Sequence, residues 1–121
     1  MLSFPPSVGI YLAAGVTDMR KSFDTLAQLA KDSLNQDPLS GNLFVFCNRR
    51  RNRLKILVWD RSGFWLCAKR LEEGTFTWPE IREGFSQSVE MTSDELTLLL
   101  SGIDLRFTKQ KKRYQRPPKR A

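Results

Sequence analysis

Three apolar segments separated by two short polar links dominate the middle of the chain, from Leu43 to Leu71. Apolar segments of this length with β-branched and aromatic residues are typical of strands, and links of two to six polar residues are typical of hairpin loops. The pattern predicts four successive antiparallel strands, and these are Leu43–Cys47, Leu54–Asp60, Phe64–Leu71 and Thr75–Trp78. A further short strand is predicted at Gly9–Ala14. Leu43–Cys47 is apolar on both faces, so it is expected to be a central strand covered on both sides.

Two helices flank this meander. The first is predicted to begin with Thr17 or Asp18 as its N-cap and to stop near Asn35, because its apolar residues recur at the spacing of one helical face. That face consists of Met19, Phe23, Leu26, Ala27, Ala30 and Leu34. The second is predicted after residues 80–90, which suggest only one helical turn and a loop.

The second helix carries a capping box made by Thr92 and Glu95, and Gly102 marks its end. Its predicted buried stripe contains Leu96, Leu99, Leu100 and Ile103. We therefore predict an α+β domain over residues 1–104, with a four- or five-stranded, mainly antiparallel meander sheet, one long helix and one short helix. Residues 105–121 are predicted to form a basic, mobile tail.

Length and composition restrict the class of protein. A chain of 121 residues suits one domain, and no window approaches the ~20 apolar residues of a membrane span. The N-terminus lacks a basic leader and a clear cleavage site, so we expect a soluble cytoplasmic protein with no membrane partner. Cys47 and Cys67 both fall in apolar segments, where reduced core thiols are expected rather than a disulfide.

The chain contains no histidine, which removes Ser-His and Cys-His nucleophile activation and leaves too few soft ligands for structural zinc. Phosphoryl transfer with two metal ions needs converging carboxylates, and the candidates are Asp18, Asp24, Asp60, Glu72 and Glu73. Asp18 is better explained as a helix cap, Asp60 as a turn former and Glu72 with Glu73 as a turn. We expect no catalytic residues, no metal, no cofactor and no small-molecule substrate.

The net charge of +7 is unevenly distributed. Residues 1–104 hold 12 basic and 13 acidic groups, whereas residues 105–121 hold 8 basic and no acidic groups. Within the body, residues 49–61 hold six basic groups against Asp60, and residues 72–104 hold eight acids against Arg82. Such blocks can bind polyanions, repel one another or pair with each other, and composition does not choose between these outcomes.

Three long blocks of the sequence resemble a known family. They are YLAAGVTDMRKSFDTL, then DPLSGNLFVFCNRRRNRLKILVWDRSGFWLCAKRLEEGTFTWP, and finally LLLSGID, and together they span roughly residues 10–104. In order and spacing they resemble the TnpB accessory proteins of the insertion-sequence sixty-six family of bacterial mobile elements. The resemblance implies a small protein that is encoded beside a separate, larger transposase and assists transposition.

The link from Asn48 to Arg53 carries four arginines in six residues and is the main candidate for nucleic-acid binding. Arginine suits this role because its planar fork binds phosphate bidentately and reaches guanine edges in a groove. The candidate residues of this loop and its strand are Arg49, Arg50, Arg51, Arg53 and Lys55. The alternative is a solvated loop, or one that pairs with the acidic block of residues 72–104.

Further cations outside the loop are candidates for the same interface. Lys69 and Arg70 extend it if their end of the sheet lies near the loop, and Arg20 with Lys21 can make an anion seat at a helix start or lie in water near Asp18. In the tail the candidates are Lys109, Lys111, Lys112 and Arg113, which would add salt-dependent affinity.

Trp59, Phe64 and Trp65 flank the opposite turn, where core packing is a better explanation than base stacking. The predicted function is a non-catalytic accessory factor in insertion-sequence transposition that binds DNA through the arginine loop and tail, with the transposase as a second partner. The alternative is a protein-interaction module that binds the transposase through the acidic block and tail without contacting DNA.

Overall fold

Five strands form one sheet, and a helix follows the first and the last strand of the chain. The computed structural model describes residues 8–103. The elements in chain order are β1 (Ile10–Ala13), α1 (Phe23–Asp32), β2 (Leu43–Cys47), β3 (Arg53–Trp59), β4 (Phe64–Arg70), β5 (Ser88–Met91) and α2 (Ser93–Leu100). The α+β class is as predicted, but the sheet is mixed.

The predicted meander holds only for β2, β3 and β4, which pair antiparallel in succession. β1 lies beside β2 in parallel, and β5 pairs antiparallel with the other side of β1. The expectation of a mainly antiparallel meander sheet was therefore wrong, because β1 and β5 do not continue the meander and β1 pairs in parallel with β2. The cause is α1, which returns the chain to the starting end of β1, as a parallel connection requires.

The predicted strand at Thr75–Trp78 was wrong, because this segment crosses one face of the sheet. The buried side chains of Phe76 and Trp78 point into the core there, and the indole N–H of Trp78 donates to the carbonyl of Ala13 at 2.9 Å. The fifth strand is β5, in a segment that overlaps the predicted loop. Alternation of buried side chains indicates an extended segment, but it does not show whether that segment pairs at a sheet edge.

Both faces of the sheet are covered. One face packs against α1 through a cluster of Ala13, Leu26, Ala30, Leu34, Phe44, Phe46 and Leu57. The other face packs against α2 and the segment containing Phe76 and Trp78. All five residues of β2 are buried, which confirms the predicted central strand covered on both sides.

α1 begins at Phe23, several residues later than predicted. Asp18 does not cap it, because its carboxylate accepts from the backbone N–H of Arg20 at 2.8 Å and closes a turn ahead of the helix. Thr17 is buried, and its N–H donates to the carbonyl of Cys47 at 2.8 Å. Arg20 and Lys21 therefore lie before the helix and not in its first turn, where the sequence analysis placed them.

α2 begins with the predicted capping box. The N–H of Glu95 donates to Thr92 Oγ1 at 3.1 Å, and the N–H of Thr92 donates to Glu95 Oε1 at 2.9 Å. Leu96 and Leu99 are buried as predicted, whereas Ile103 is exposed because the helix has already ended. Gly102 has a φ of +79°, the left-handed conformation that favours glycine after a helix.

The predicted tail, with Lys109, Lys111, Lys112 and Arg113, lies outside the described residues. Within residues 8–103, no helix has the length and apolar character needed to cross a bilayer.

Candidate nucleic-acid interface

The arginine loop is a turn braced by the side chain of Asn48. Asn48 Oδ1 accepts from the N–H groups of Asn52 and Arg53, both at 3.1 Å, and its Nδ2 donates to Asn52 Oδ1 at 2.9 Å. Arg51 has a φ of 61°, so it takes the left-handed position of the turn. These bonds hold the loop in one shape and leave Arg49 and Arg50 exposed at its tip.

Arg51 is the one arginine of the loop that turns inward. Its guanidinium donates to the carbonyl of Gly15 at 2.7 Å and pairs with Glu80 at 3.0 Å, and its side chain is 15% exposed. The carbonyl of Arg51 accepts from the N–H of Phe76 at 2.6 Å. Arg51 therefore joins the loop to the ends of two other segments, which makes it a structural residue in this arrangement. Its contact with Glu80 is a pairing between the loop and the acidic block of residues 72–104.

Arg53 and Arg70 lie directly opposite each other across the β3–β4 ladder. Lys55, two residues along β3, lies on the same face as Arg53, since side chains alternate along a strand. This face is the α1 face, because Lys55 is paired with Phe46, a member of the α1 cluster. The structure thus brings together three of the predicted cations at one end of the sheet.

An open cleft of about 480 Å³ lies at this end of the sheet. We call it the cationic cleft, and it is lined by Met19, Arg53, Leu54, Lys55, Ala68, Lys69, Arg70 and Glu72. Arg70 pairs with Glu72 at 2.9 Å on the surface. Among the described residues, no acidic side chain pairs with Arg49, Arg50 or Arg53.

The ammonium group of Lys55 anchors the segment that precedes α1. It donates to the carbonyls of Met19 at 2.7 Å and Lys21 at 2.8 Å. This tether holds Arg20 and Lys21 beside the cationic cleft, although Lys55 itself is then only partly available to a ligand. The Arg20–Lys21 segment therefore lies near the cations of the sheet, although no helix starts there.

Arg20 lies beside Asp18, which was the alternative to an anion seat. The guanidinium of Arg20 donates to both carboxylate oxygens of Asp18, at 2.7 to 3.1 Å, and its side chain is 93% exposed. These bonds lower the pKa of Asp18 to about 2, chiefly through the side-chain hydrogen bond from Arg20. The pair faces solvent, so it contributes little to folding.

Lys69 lies on the opposite face of the sheet from Arg70. Its ammonium donates to the carbonyl of Leu100 at 2.6 Å, at the end of α2, where a helix carries negative partial charge. The ammonium of Lys69 is therefore directed away from Arg53 and Arg70, although Lys69 is among the residues that line the cationic cleft.

The aromatic residues Trp59, Phe64 and Trp65 lie at the other end of the β3–β4 hairpin. Trp59 and Phe64 pack edge to face with ring centres 5.1 Å apart. The Trp65 side chain is exposed and its indole N–H donates to Asp60. The structure does not bring these rings to the cations, and the cleft lining contains no aromatic side chain.

No group of three or more carboxylate or thiol side chains within residues 8–103 could hold a metal ion. Asp60 accepts from Trp65 and Glu72 pairs with Arg70, so these carboxylates serve local contacts.

Comparisons with known proteins give one family. The family model described as "IS66 Orf2 like protein" matches residues 8–110, which confirms the resemblance drawn from the three sequence blocks. The uncharacterized protein y4hO of Sinorhizobium fredii is 39% identical over 110 residues, covering 91% of this chain and 93% of the relative. The uncharacterized protein y4jC of the same organism is 36% identical over 116 residues, covering 94% and 96%. No solved structure matches the chain significantly.

Proposed function

The chain belongs to the IS66 Orf2-like family, and we propose that it is a non-catalytic accessory factor of insertion-sequence transposition that binds nucleic acid through the cationic cleft and the exposed tip of the arginine loop. Family membership supports the role in transposition. The placement of the cations supports the binding mode. The partners are the DNA of the element and its separate transposase.

The observation that carries the proposal is the direct opposition of Arg53 and Arg70. Like charges directly opposite on a sheet destabilise it, and these residues occupy a non-hydrogen-bonded position, where side chains approach most closely. The fold does not require this arrangement, since both side chains are exposed. A phosphate group bound between the two guanidinium forks relieves the repulsion and satisfies their donors.

The lining of the cleft favours contacts to the backbone of the nucleic acid. Guanidinium and ammonium groups bind phosphate oxygens without regard to base sequence. Because the cleft contains no aromatic side chain, it offers no platform for base stacking. Arg49 and Arg50 at the loop tip are the residues placed to reach base edges in a groove.

A binding titration tests the proposal. Duplex and single-stranded DNA are titrated at several salt concentrations with the wild-type chain and with a variant carrying Arg49→Gln, Arg50→Gln, Arg53→Gln and Arg70→Gln. The variant should bind more weakly and show a flatter dependence of affinity on salt. Matched controls are Arg61→Gln and Lys31→Gln, exposed cations away from the cleft, which should bind as wild type. If only deletion of residues 105–121 weakens binding, the proposed interface is wrong.

The second candidate is a protein-interaction module without DNA contact, supported by an exposed apolar pair, one member of which lies in the acidic block of residues 72–104. Ile81 and Val16 are both exposed, and Ile81 packs against Gly15 beside Val16. Glu80 and Glu83 flank Ile81 in sequence. This candidate is favoured if the chain binds no DNA at low salt, co-purifies with the transposase, and loses that partner in Val16→Ser with Ile81→Ser.

A further inference from the structure

β4 forms an open edge of the sheet. Among the described residues, no strand pairs with its outer side. Its seven residues make it as long as β3, and an unprotected edge of this length is a template for pairing with another strand.

Backbone hydrogen bonds at both ends of the β3–β4 hairpin show which groups of β4 point outward. The N–H of Asp60 donates to the carbonyl of Gly63 at 2.9 Å, and the N–H of Leu71 donates to the carbonyl of Asn52 at 2.8 Å. Gly63 and Leu71 therefore direct their backbone groups towards β3, and so does every second residue between them. The intervening residues direct theirs to the open edge, and these are Phe64, Leu66, Ala68 and Arg70.

We propose that β4 pairs antiparallel with β4 of a second copy of this chain, about a two-fold axis through Cys67. This register uses all four outward-facing residues, with Phe64 opposite Arg70 and Leu66 opposite Ala68. A shift by two residues in either direction leaves one of them without a partner. The result is one continuous sheet across the dimer.

The side chains of β4 are self-complementary in this register. Trp65 faces Lys69 of the second copy on the α2 face, and Phe64 faces Arg70 on the α1 face. Aromatic residues occupy one end of the strand and cations the other, so antiparallel pairing sets each cation against a ring and no cation against a cation. The 60% exposure of Trp65, an apolar ring at an open edge, is then explained by burial against the second copy.

A lysine on an edge strand usually opposes pairing. Here the ammonium of Lys69 is held by the carbonyl of Leu100 and thus directed towards α2. In the proposed register Lys69 lies opposite Trp65 of the second copy, so the pairing does not bury one ammonium group against another.

The proposed axis is perpendicular to the sheet, so the α1 faces of both copies lie on the same side. Both cationic cleft openings then belong to one surface. The dimer itself rests on the edge geometry of β4 and stands or falls independently of nucleic-acid binding.

Cys67 provides a direct test, because residues on the axis form a non-hydrogen-bonded pair. The Cα atoms of such pairs lie about 4.5 Å apart, within the range that a disulfide bridges. Copper–phenanthroline with air oxygen takes two electrons and two protons from a pair of facing thiols and joins them. The Cys47→Ser variant should still form the covalent dimer, whereas Cys67→Ser should not. Cys47 is buried, which raises the pKa of its thiol to about 11 and keeps it unreactive.

Sedimentation equilibrium provides the second readout. Ala68→Pro removes an outward N–H that β3 does not use, so the variant should keep its circular dichroism spectrum and lose the dimer. Ala68→Thr keeps the N–H and should remain dimeric. A wild-type chain that is monomeric over its whole soluble concentration range overturns the pairing. A dimer that forms no Cys67 disulfide overturns the register, and one that also survives Ala68→Pro uses another surface.

Discussion

Arg53 on β3 and Arg70 on β4 stand directly opposite each other at the open end of a hairpin, with Glu72 pairing only with Arg70. The arrangement places two guanidinium groups side by side over a cleft. Replacing one of these arginines should therefore change the stability of the free protein and its affinity for an anion in opposite directions.

We predict that Arg53→Gln stabilises the free protein while weakening its binding to DNA. Removing one of two directly opposed like charges should raise the free energy of unfolding by roughly 0.2 to 1 kcal/mol. Loss of a phosphate-binding fork should lower DNA affinity and reduce the salt slope by about one contact. Urea unfolding and DNA titration measure the two effects, with Arg61→Gln as the control. A variant that loses stability and keeps its affinity contradicts the opposition argument.

Arg51 should behave in the opposite way. Arg51→Ala removes hydrogen bonds to Gly15 and Glu80 and exposes the junction they close, so the free energy of unfolding should fall by about 1 to 3 kcal/mol. Arg50→Ala, the neighbouring exposed residue, should leave stability within about 0.5 kcal/mol of wild type. Thermal and urea unfolding of both variants measure the difference. Equal stabilities for the two variants would show that the inward position of Arg51 contributes nothing.

The loop arginines also show what the sequence can predict about this site. The Arg53–Arg70 pairing follows from counting back from the turn between Asp60 and Gly63, because a hairpin loop sets the register of both strands. Within that turn Arg61 has the positive φ, although Gly63 is the residue that tolerates this conformation without strain. The inward position of Arg51 has no such local signal, because its partners lie 36 and 29 residues away along the chain.

The same distinction between local and distant determinants explains which parts of the fold could be predicted from the sequence. The capping box at Thr92 and the buried strand β2 are local patterns, and both predictions were confirmed. Whether Phe76 and Trp78 line a paired strand or a segment lying across the sheet depends on which strand takes the edge beside β1. β5 takes this edge, although its four residues include only one strong strand former, Val89.

Lys55 should tether the segment before α1 in a measurable way. Lys55→Met keeps much of the apolar stem and removes the two hydrogen bonds to Met19 and Lys21, leaving those carbonyls to water. The free energy of unfolding should fall by about 1 to 3 kcal/mol. Amide hydrogen exchange around Met19 should accelerate relative to the strands. Lys31→Met is the control, and unchanged exchange in Lys55→Met would contradict the tether.

Asp18 offers a prediction about pH. Its pKa of about 2 lies below the ordinary carboxyl value of 3.8, so the Asp18–Arg20 contact stabilises the fold above that value and is lost as the pH falls through about 2. Arg20→Ala should raise the pKa of Asp18 only part of the way to 3.8, since the backbone N–H at position 20 still donates to the carboxylate. Carbon-detected NMR titration measures the pKa of Asp18 in each variant. Lys21→Ala should change it far less, and an equal effect would contradict the assignment.

Glu72 lines the cationic cleft and holds Arg70, so it competes with any anion for that guanidinium. Glu72→Gln frees the fork of Arg70 and removes a negative charge from the site, so DNA affinity should rise severalfold and the salt slope should steepen. Glu73→Gln makes the same charge change one residue along, where the described structure gives no pairing with Arg70, and should raise affinity less. Both variants should unfold at nearly wild-type urea concentrations, because the Arg70–Glu72 pair is exposed. If the two variants raise affinity equally, DNA responds only to net charge and the cleft has no specific role in binding.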